Sequence, residues 1–563
     1  MLSSLLLLAV LAAPTPEIKV DQAGYLADGP KIALVVAKAP ATTFTVRRVE
    51  GDAAVVFEGK LGAPASDADS GDVLQAADFT PLTRAGRYVV EVAGVGRSFE
   101  FAIDPAVFAR PFYLALRSFY GQRCGTAVDL GPEFPGYTHP ACHLSGANHA
   151  SSGKTGPVPK NAGGWHDAGD YGRYVVNSGL TTGTLLWTHE IFGERVSKVR
   201  LDIPESGNAV PDLLDEIRWN LEWMLAMQDD DGGSWHKQTS EGFCGFVMPE
   251  KDTLTSYVIG TGQAPFKSSC ATADLAAVMA VAARVYRPFD QAYSDKALLA
   301  ARRAWTWLEA HPDVLFRNPA GVTTGEYGDR NCSDERLWAA AELFRTTGEE
   351  PYHRYFLAHH AEYLKSLRTA RPPSWPNVAP MALWTYVLGK GKDKGAEAAI
   401  LQASLAAADE IVARSARNGY RIGMTPTDYV WGSNGVVANY GVQLLVADAL
   451  KKDPRYVEAA RDNLHYLLGR NTFSLSWVTH VGASPFRHPH HRPSGADTNS
   501  EPWPGLLSGG PNRSKQDPAM GKLGELPPAR MYLDEEASYA TNENAINWNA
   551  ALVFLLAGSL PGQ

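Results

Sequence analysis

"VPDLLDEIRWNLEWML", residues 210–225, decides how most of this chain is read. Leu213, Leu214, Ile217, Leu221, Met224 and Leu225 recur at three- and four-residue spacing and line one face of a helix. The same period runs from about residue 105 to the C-terminal region. It predicts helical segments near 105–123, 174–192, 210–228, 271–288, 291–311, 334–347, 350–366, 378–390, 396–418, 434–452, 454–470 and 540–559. Connections after the odd-numbered helices are long, at 124–173, 229–270, 312–333, 367–377, 419–433 and 471–539. Those after the even-numbered ones are mostly a few residues, with 193–209 the exception. In an up-and-down array all odd connections fall at one end, so one end is trimmed and the other elaborated. Long loops in compact domains usually carry function. The pattern predicts a closed all-α barrel of six helical hairpins, an (α/α)6 barrel over residues 105–563. Closure would make loops 124–173 and 471–539 neighbours.

The front of the chain follows a different rule. KIALVVAK, TFTVRRV, AAVVFEG, GRYVVEVAG and SFEFAI alternate with period two between turn residues. Residues 17–103 therefore read as a small all-β, immunoglobulin-like sandwich, and the chain as multidomain. MLSSLLLLAVLAAPTP resembles a signal peptide over residues 1–13, although it lacks a basic start. A secreted or periplasmic protein is expected, with no later segment long and apolar enough to span a membrane. The net charge of −9 with no basic run excludes nucleic acid as an expected partner. A monomer is expected. The five cysteines leave at least one unpaired within the chain.

The chemistry gathers in the two loops that closure would join. In "GGWHDAGDYGRY", residues 163–174, Asp167 and Asp170 stand three apart. A pair of like charges in so tight a segment is costly unless water, a cation or a reaction uses it. A solvated turn entering a helix is the ordinary alternative. Glu543 falls at the start of the last predicted helix, among Asn542, Asn544, Asn547 and Asn549, where the helix dipole alone would favour it. A carboxyl pair facing a single carboxyl is the minimum set for glycosidic hydrolysis, one acid for the leaving oxygen and one base for water. "HPHHRPSG", residues 488–495, supplies polar side chains suited to sugar hydroxyls.

At these residues the sequence resembles glycoside hydrolase family 9, in the subgroup with an immunoglobulin-like domain before the barrel. GGWHDAGDYGRY, IPESGNAVPDLLDEIRW, DERLWAAAEL, WGSN, HPHHRPSG, PGLLSGGPN and YLDEEASYATNENAINWNA carry the resemblance in order along the mature chain. Ser484 departs from the Asn, Lys or Arg common in the histidine signature. The resemblance implies an inverting β-1,4-glucanase with Asp170 as general base, Asp167 helping to hold the attacking water, and Glu543 as general acid. It implies substrate contacts from His490, Arg492, Tyr539 and Trp431, and gives Asp534 only a supporting place. Inversion needs acid and base roughly 6.5–9.5 Å apart. Glu543 must be protonated before attack, so burial or neighbouring carboxylates should raise its pKa.

Cys124, Cys142, His143 and His166 offer a closed Cys2His2 zinc set, but spacing and the secretory context alone favour a Cys124–Cys142 disulfide. The resemblance favours a structural zinc. GDRNCSDE, residues 328–335, offers Asp329, Asp334 and Glu335 as hard oxygen ligands, and the resemblance supports calcium through Asp334 and Glu335. The further aspartate usual downstream is not evident. Endo action on cellulose-type or mixed-linkage β-glucan is the expected activity. An exo-acting β-glucosidase or glucosaminidase is the alternative in the same fold, and a non-catalytic glycan-binding protein the alternative in another class.

Overall fold

The computed structural model describes residues 13–36, 39–50, 53–158 and 162–562. The expected leader lies outside them, Ala13 apart. An N-terminal sandwich opens the chain. One sheet has the order Ile18–Lys19, Ile32–Val36, Val73–Asp78, Ala65–Ser66. The other runs Gly24–Tyr25, Phe101–Ile103, Gly86–Val92, Thr43–Arg48, Val55–Lys60, with Gly96–Arg97 beside Gly86–Val92. Val35, Phe44, Val46, Phe79, Tyr88, Val90 and Phe101 are buried between them. Period-two alternation located the five segments it predicted. Val73–Asp78 was missed because its burial does not alternate.

The helical region is a barrel of two concentric rings. Val175–Val196, Ser269–Tyr286, Ser333–Thr347, Ala379–Leu388, Ser433–Leu450 and Ile546–Ala557 form the inner ring, each packed on the next. The ring closes where Ile546–Ala557 lies against Val175–Val196 and the outer helix Ala109–Gly121. At that seam Phe192 meets Phe554 with ring centroids 5.1 Å apart, and the Arg195 guanidinium donates to the Gly558 carbonyl at 2.8 Å. Inner helices touch protein on nearly every side, so their residues are buried almost all round. Ser269–Tyr286 is therefore long and apolar enough to cross a membrane by composition, contrary to expectation, yet it is a buried barrel wall. Two predicted helices are broken. Residues 350–366 divide into Glu350–His359, a 3-10 turn and Leu364–Arg368; residues 540–559 divide into Tyr539–Asn542 and Ile546–Ala557.

The elaborated end carries its own four-stranded sheet, ordered Gly146–Asn148, Ser256–Ile259, Lys237–Thr239, Arg173–Tyr174. A disulfide joins Cys270 to Cys332, one at the start of an inner helix and one just before the next. The spacing argument had considered only Cys124 and Cys142, and both are free.

The sandwich docks on the barrel through apolar and polar contacts. Leu26, Leu34 and Leu74 join the barrel's own core. Asp21 is fully buried; its carboxylate lies 2.7 Å from Nδ1 of His465 and accepts the N–H groups of Ala23 and Gly24 at 2.8 and 3.0 Å. Gln22 donates to the Ser474 carbonyl at 2.7 Å, and the Tyr420 hydroxyl donates to Asp72 at 2.5 Å.

Candidate active site and metal sites

Loop 124–173 and the segment around residue 543 meet at the elaborated end, as barrel closure requires. Asp167, Asp170 and Glu543 line one cleft of about 840 Å³ together with Tyr174, Phe243, Tyr327, Trp375, Trp431, His490, Arg492, Tyr539 and Trp548. Its walls are mostly aromatic with a few convergent polar groups, the usual make-up of a ligand site.

The aspartate loop is tied at its base. The Asp167 N–H donates to the Gly172 carbonyl at 2.9 Å, and the Asp167 carbonyl accepts the N–H of Ile546 at 2.9 Å. Asp170 accepts the Gly172 N–H at 2.9 Å. Gly169, between the aspartates, has no room for a side chain: a Cβ there would sit 1.8 Å from the His490 carbonyl oxygen. The glycines of this motif thus let the two loops touch. Both Asp167 oxygens are held, one by the Asn177 amide at 2.7 Å and one by the Tyr327 hydroxyl at 2.6 Å. Burial, with the charge of Asp170, nevertheless pushes Asp167 up to about 7.

Glu543 does not begin a helix, as the sequence reading expected. It sits in extended backbone, with φ −70° and ψ 149°, in the break before Ile546–Ala557. Its carbonyl accepts the Gly509 N–H at 2.7 Å. Burial first, and then the charges of Asp170 and Asp167, hold its carboxyl well above the usual range. A helix N-terminus would have worked against that shift, and the break keeps Glu543 out of one.

The other predicted residues lie in the same cleft. His490 fixes its ring by an Nδ1 contact of 2.7 Å to the Glu536 carbonyl and packs beside Tyr539, with centroids 5.6 Å apart. Trp431 lies 5.5 Å from Tyr539 and remains 37% exposed, available for stacking. The Arg492 guanidinium donates to the carbonyls of Cys244 and Gly169 at 2.9–3.1 Å, so it braces two loops as well as lining the cleft. Asp534 accepts the N–H groups of Arg487 and His488 and the Asn542 amide, each at 2.9 Å. It thereby ties the histidine loop to the segment carrying Glu543. Sequence reasoning missed Tyr327 and Asn177. Tyr327 sits in GEYG, directly before the acidic run examined for calcium, where a tyrosine beside a carboxylate-rich loop was the available signal.

Cys124, Cys142, His143 and His166 present ligand atoms all within 4.8 Å of one another. Cys142 Sγ lies 3.8 Å from His166 Nε2, and Nε2 of His143 is 3.3 Å from Asp252, a carboxylate placed to orient it. Burial opposes ionisation of Cys124, yet bonding by Cys142 and the charges of Arg173 and His166 hold its thiol well below the usual range. This donor chemistry fits zinc. Asp334, Glu335 and Asp274 form a buried acidic group with no ion pair among the described residues. Asp334 accepts the Val378 N–H at 2.8 Å, while both oxygens of Glu335, and both of Asp274 on the neighbouring inner helix, lack a hydrogen-bond partner among the described residues. Burial, with the charge of Asp334, raises Glu335 and Asp274 far above ordinary carboxylates. Such a group fits a hard divalent cation.

Residues 108–556 match the model of glycosyl hydrolase family 9, and residues 13–97 match that of the cellulase N-terminal ig-like domain. Endoglucanase D of Acetivibrio thermocellus is 37% identical over 96% of this chain and 83% of its own length. A cellodextrinase of Butyrivibrio fibrisolvens is 35% identical over 97% of this chain and 100% of its own. The solved structure of a zinc-binding triple mutant of a family 9 endoglucanase superposes with a TM-score of 0.88 at 35% identity, covering 96% of this chain and 100% of that one.

Proposed function

This chain belongs to glycosyl hydrolase family 9, and we propose that it is an endo-acting, inverting β-1,4-glucanase in which Asp170 is the base, Asp167 holds the attacking water and Glu543 is the acid. The convergence of three carboxyls in one aromatic cleft carries this reading. Tyr327 and Asn177 leave Asp167 little freedom to turn, so its remaining lone pairs can fix a water beside Asp170. Asp170 takes that water's proton as it attacks the anomeric carbon. Glu543, kept protonated by burial, delivers its proton to the departing glycosidic oxygen from the opposite face. The aromatic walls shed water around the sugar and supply stacking.

Zinc on Cys124, Cys142, His143 and His166 would fill all four positions with protein ligands, leaving none for water. Bound there, it would anchor the loop whose next residue is Asp167. Calcium at Asp334 and Glu335 would offset buried negative charge. The enzyme acts as a monomer on soluble or amorphous β-glucan in an oxidising compartment outside the cytoplasm; the leader-like start and the Cys270–Cys332 disulfide support that location.

Single displacement at a β-linkage must release the α-anomer first. NMR of fresh cellohexaose digests, before mutarotation, checks this. Asp170→Asn and Glu543→Gln should each lose roughly 10²–10⁴-fold in rate or more while still binding oligosaccharide. Retained β-anomer, or a normal rate in Asp170→Asn, would refute the assignment.

A further inference from the structure

Strand Lys237–Thr239 pairs antiparallel with Arg173–Tyr174, which sets Lys237 directly opposite Tyr174 and close behind the aspartate loop. Its side chain is fully buried. A neutral side chain could fill that space without the several kcal/mol, in order of magnitude, that burying a charge costs. The ammonium is spent on one segment. It donates to Asn318 Oδ1 at 2.7 Å, the Gly325 carbonyl at 2.8 Å, Thr324 Oγ1 at 3.1 Å and the Thr324 carbonyl at 3.2 Å. Neighbouring groups grip the same segment. His236 stacks on Phe316 at 3.8 Å and places Nε2 3.0 Å from the Glu326 carbonyl, and Thr239 Oγ1 lies 2.8 Å from Thr324 Oγ1. Asp170 and Glu326 are the anionic groups acting on the ammonium.

The gripped segment ends at Tyr327, whose φ of 45° is a left-handed conformation that a bulky residue seldom adopts. Such a conformation persists only where its surroundings over-determine it. From it the Tyr327 hydroxyl reaches Asp167 at 2.6 Å.

We propose that Lys237 is a positioning residue for catalysis: by clamping residues 318–325 it holds Tyr327 in its strained conformation and so fixes the carboxylate of Asp167. The inference rests on the reading of Asp167 as the holder of the attacking water. It acts on the base side of the reaction, and none of its contacts is with Trp431, His490, Arg492 or Tyr539, the side chains assigned to the glycan. A variant should therefore lose turnover with little change in KM.

The test is a double-mutant cycle on the full chain with a soluble cello-oligosaccharide. Lys237→Met should lower kcat about 10- to 100-fold with KM within about threefold. Combined with Tyr327→Phe it should add less than about twofold, because both act through one contact. Asn318→Ala, which keeps the charge and removes one clamp contact, should show a smaller loss with the same non-additivity; it decides the matter if Lys237→Met does not fold. Full multiplication of the losses, or unchanged kcat in the folded variants, overturns the role of Lys237. Asp167→Asn run in parallel separates the two readings. If it turns over normally, the water-holding role itself fails; if it is slow while the Lys237 cycle is additive, only the present inference fails.

Discussion

Replacing Tyr327 with Phe removes a single oxygen, and its effect can be worked out from two distances. Asp167 keeps the Asn177 amide at 2.7 Å and loses the hydroxyl at 2.6 Å. A hydrogen bond to a charged group contributes about 1.5–3 kcal/mol. One pKa unit corresponds to about 1.4 kcal/mol, so losing that bond should raise Asp167 by roughly one to two units. Asp167 works as the carboxylate, and burial already holds it up at about 7. Activity is therefore lost as pH falls through that value, and Tyr327→Phe must move this acid limb to higher pH. Glu543 works protonated, so the alkaline limb stays in place and the active window narrows from one side. Below the limb the variant should be about 10- to 100-fold slower than the parent, and it should recover as pH rises. Initial rates on a soluble cello-oligosaccharide, followed from acid to alkaline pH with folding checked by near-ultraviolet circular dichroism, give the answer. A uniform loss at every pH, with the acid limb unmoved, would show that Tyr327 does not act through the ionisation of Asp167.

Three further outcomes are expected. Asp21→Ala leaves His465 and two backbone N–H groups without their acceptor at the domain junction, and should cost about 3–5 kcal/mol in chemical denaturation; a loss below about 1 kcal/mol would mean that water replaces the carboxylate there. Elemental analysis should find about one zinc per chain, and Cys142→Ser should lower the melting temperature more than kcat of the folded fraction; a zinc-free protein of full stability contradicts that site. Glu543→Gln removes the proposed proton donor, so the alkaline limb should disappear from its residual activity, and a substrate with a good leaving group should restore rate to it but not to Asp170→Asn; equal rescue of both variants would refute the roles assigned to them.

Much of this molecule was legible in its sequence because its period changes once. Alternation over residues 17–103 and a 3.6-residue period beyond them separate sandwich from barrel, and the asymmetry of loop lengths marks the functional end. Closure then brings Asp167 and Glu543 together across about two thirds of the chain. What stayed hidden depends on contacts that no local pattern carries. Cys270 pairs with Cys332 because adjacent inner helices put them side by side, whereas Cys124 and Cys142, nearer in sequence, remain free. Glu543 looks like a helix start because Asn542 and Ile546 both belong to helices; only the turn between them reveals the break. Lys237 and Tyr327 are ordinary residues in polar stretches until the fold places one behind the other.

Closing the ring with its final helix has a consequence for how this protein comes into being. A chain extended only to residue 540 has five of the six inner helices, the paired aspartates and most of the cleft wall. It has no Glu543, and no Ile546 N–H to meet the Asp167 carbonyl. The slot between Val175–Val196 and Ser433–Leu450 stands open, lined with apolar residues meant for Ile546–Ala557. With Glu543 as the proposed acid, hydrolytic power arrives only with the last stretch to be synthesised. The same geometry makes the molecule a natural reporter of reunion. Two fragments divided within loop 471–539, each inert alone, would regain turnover only when the last helix finds its slot, and the rate of sugar release would count completed barrels.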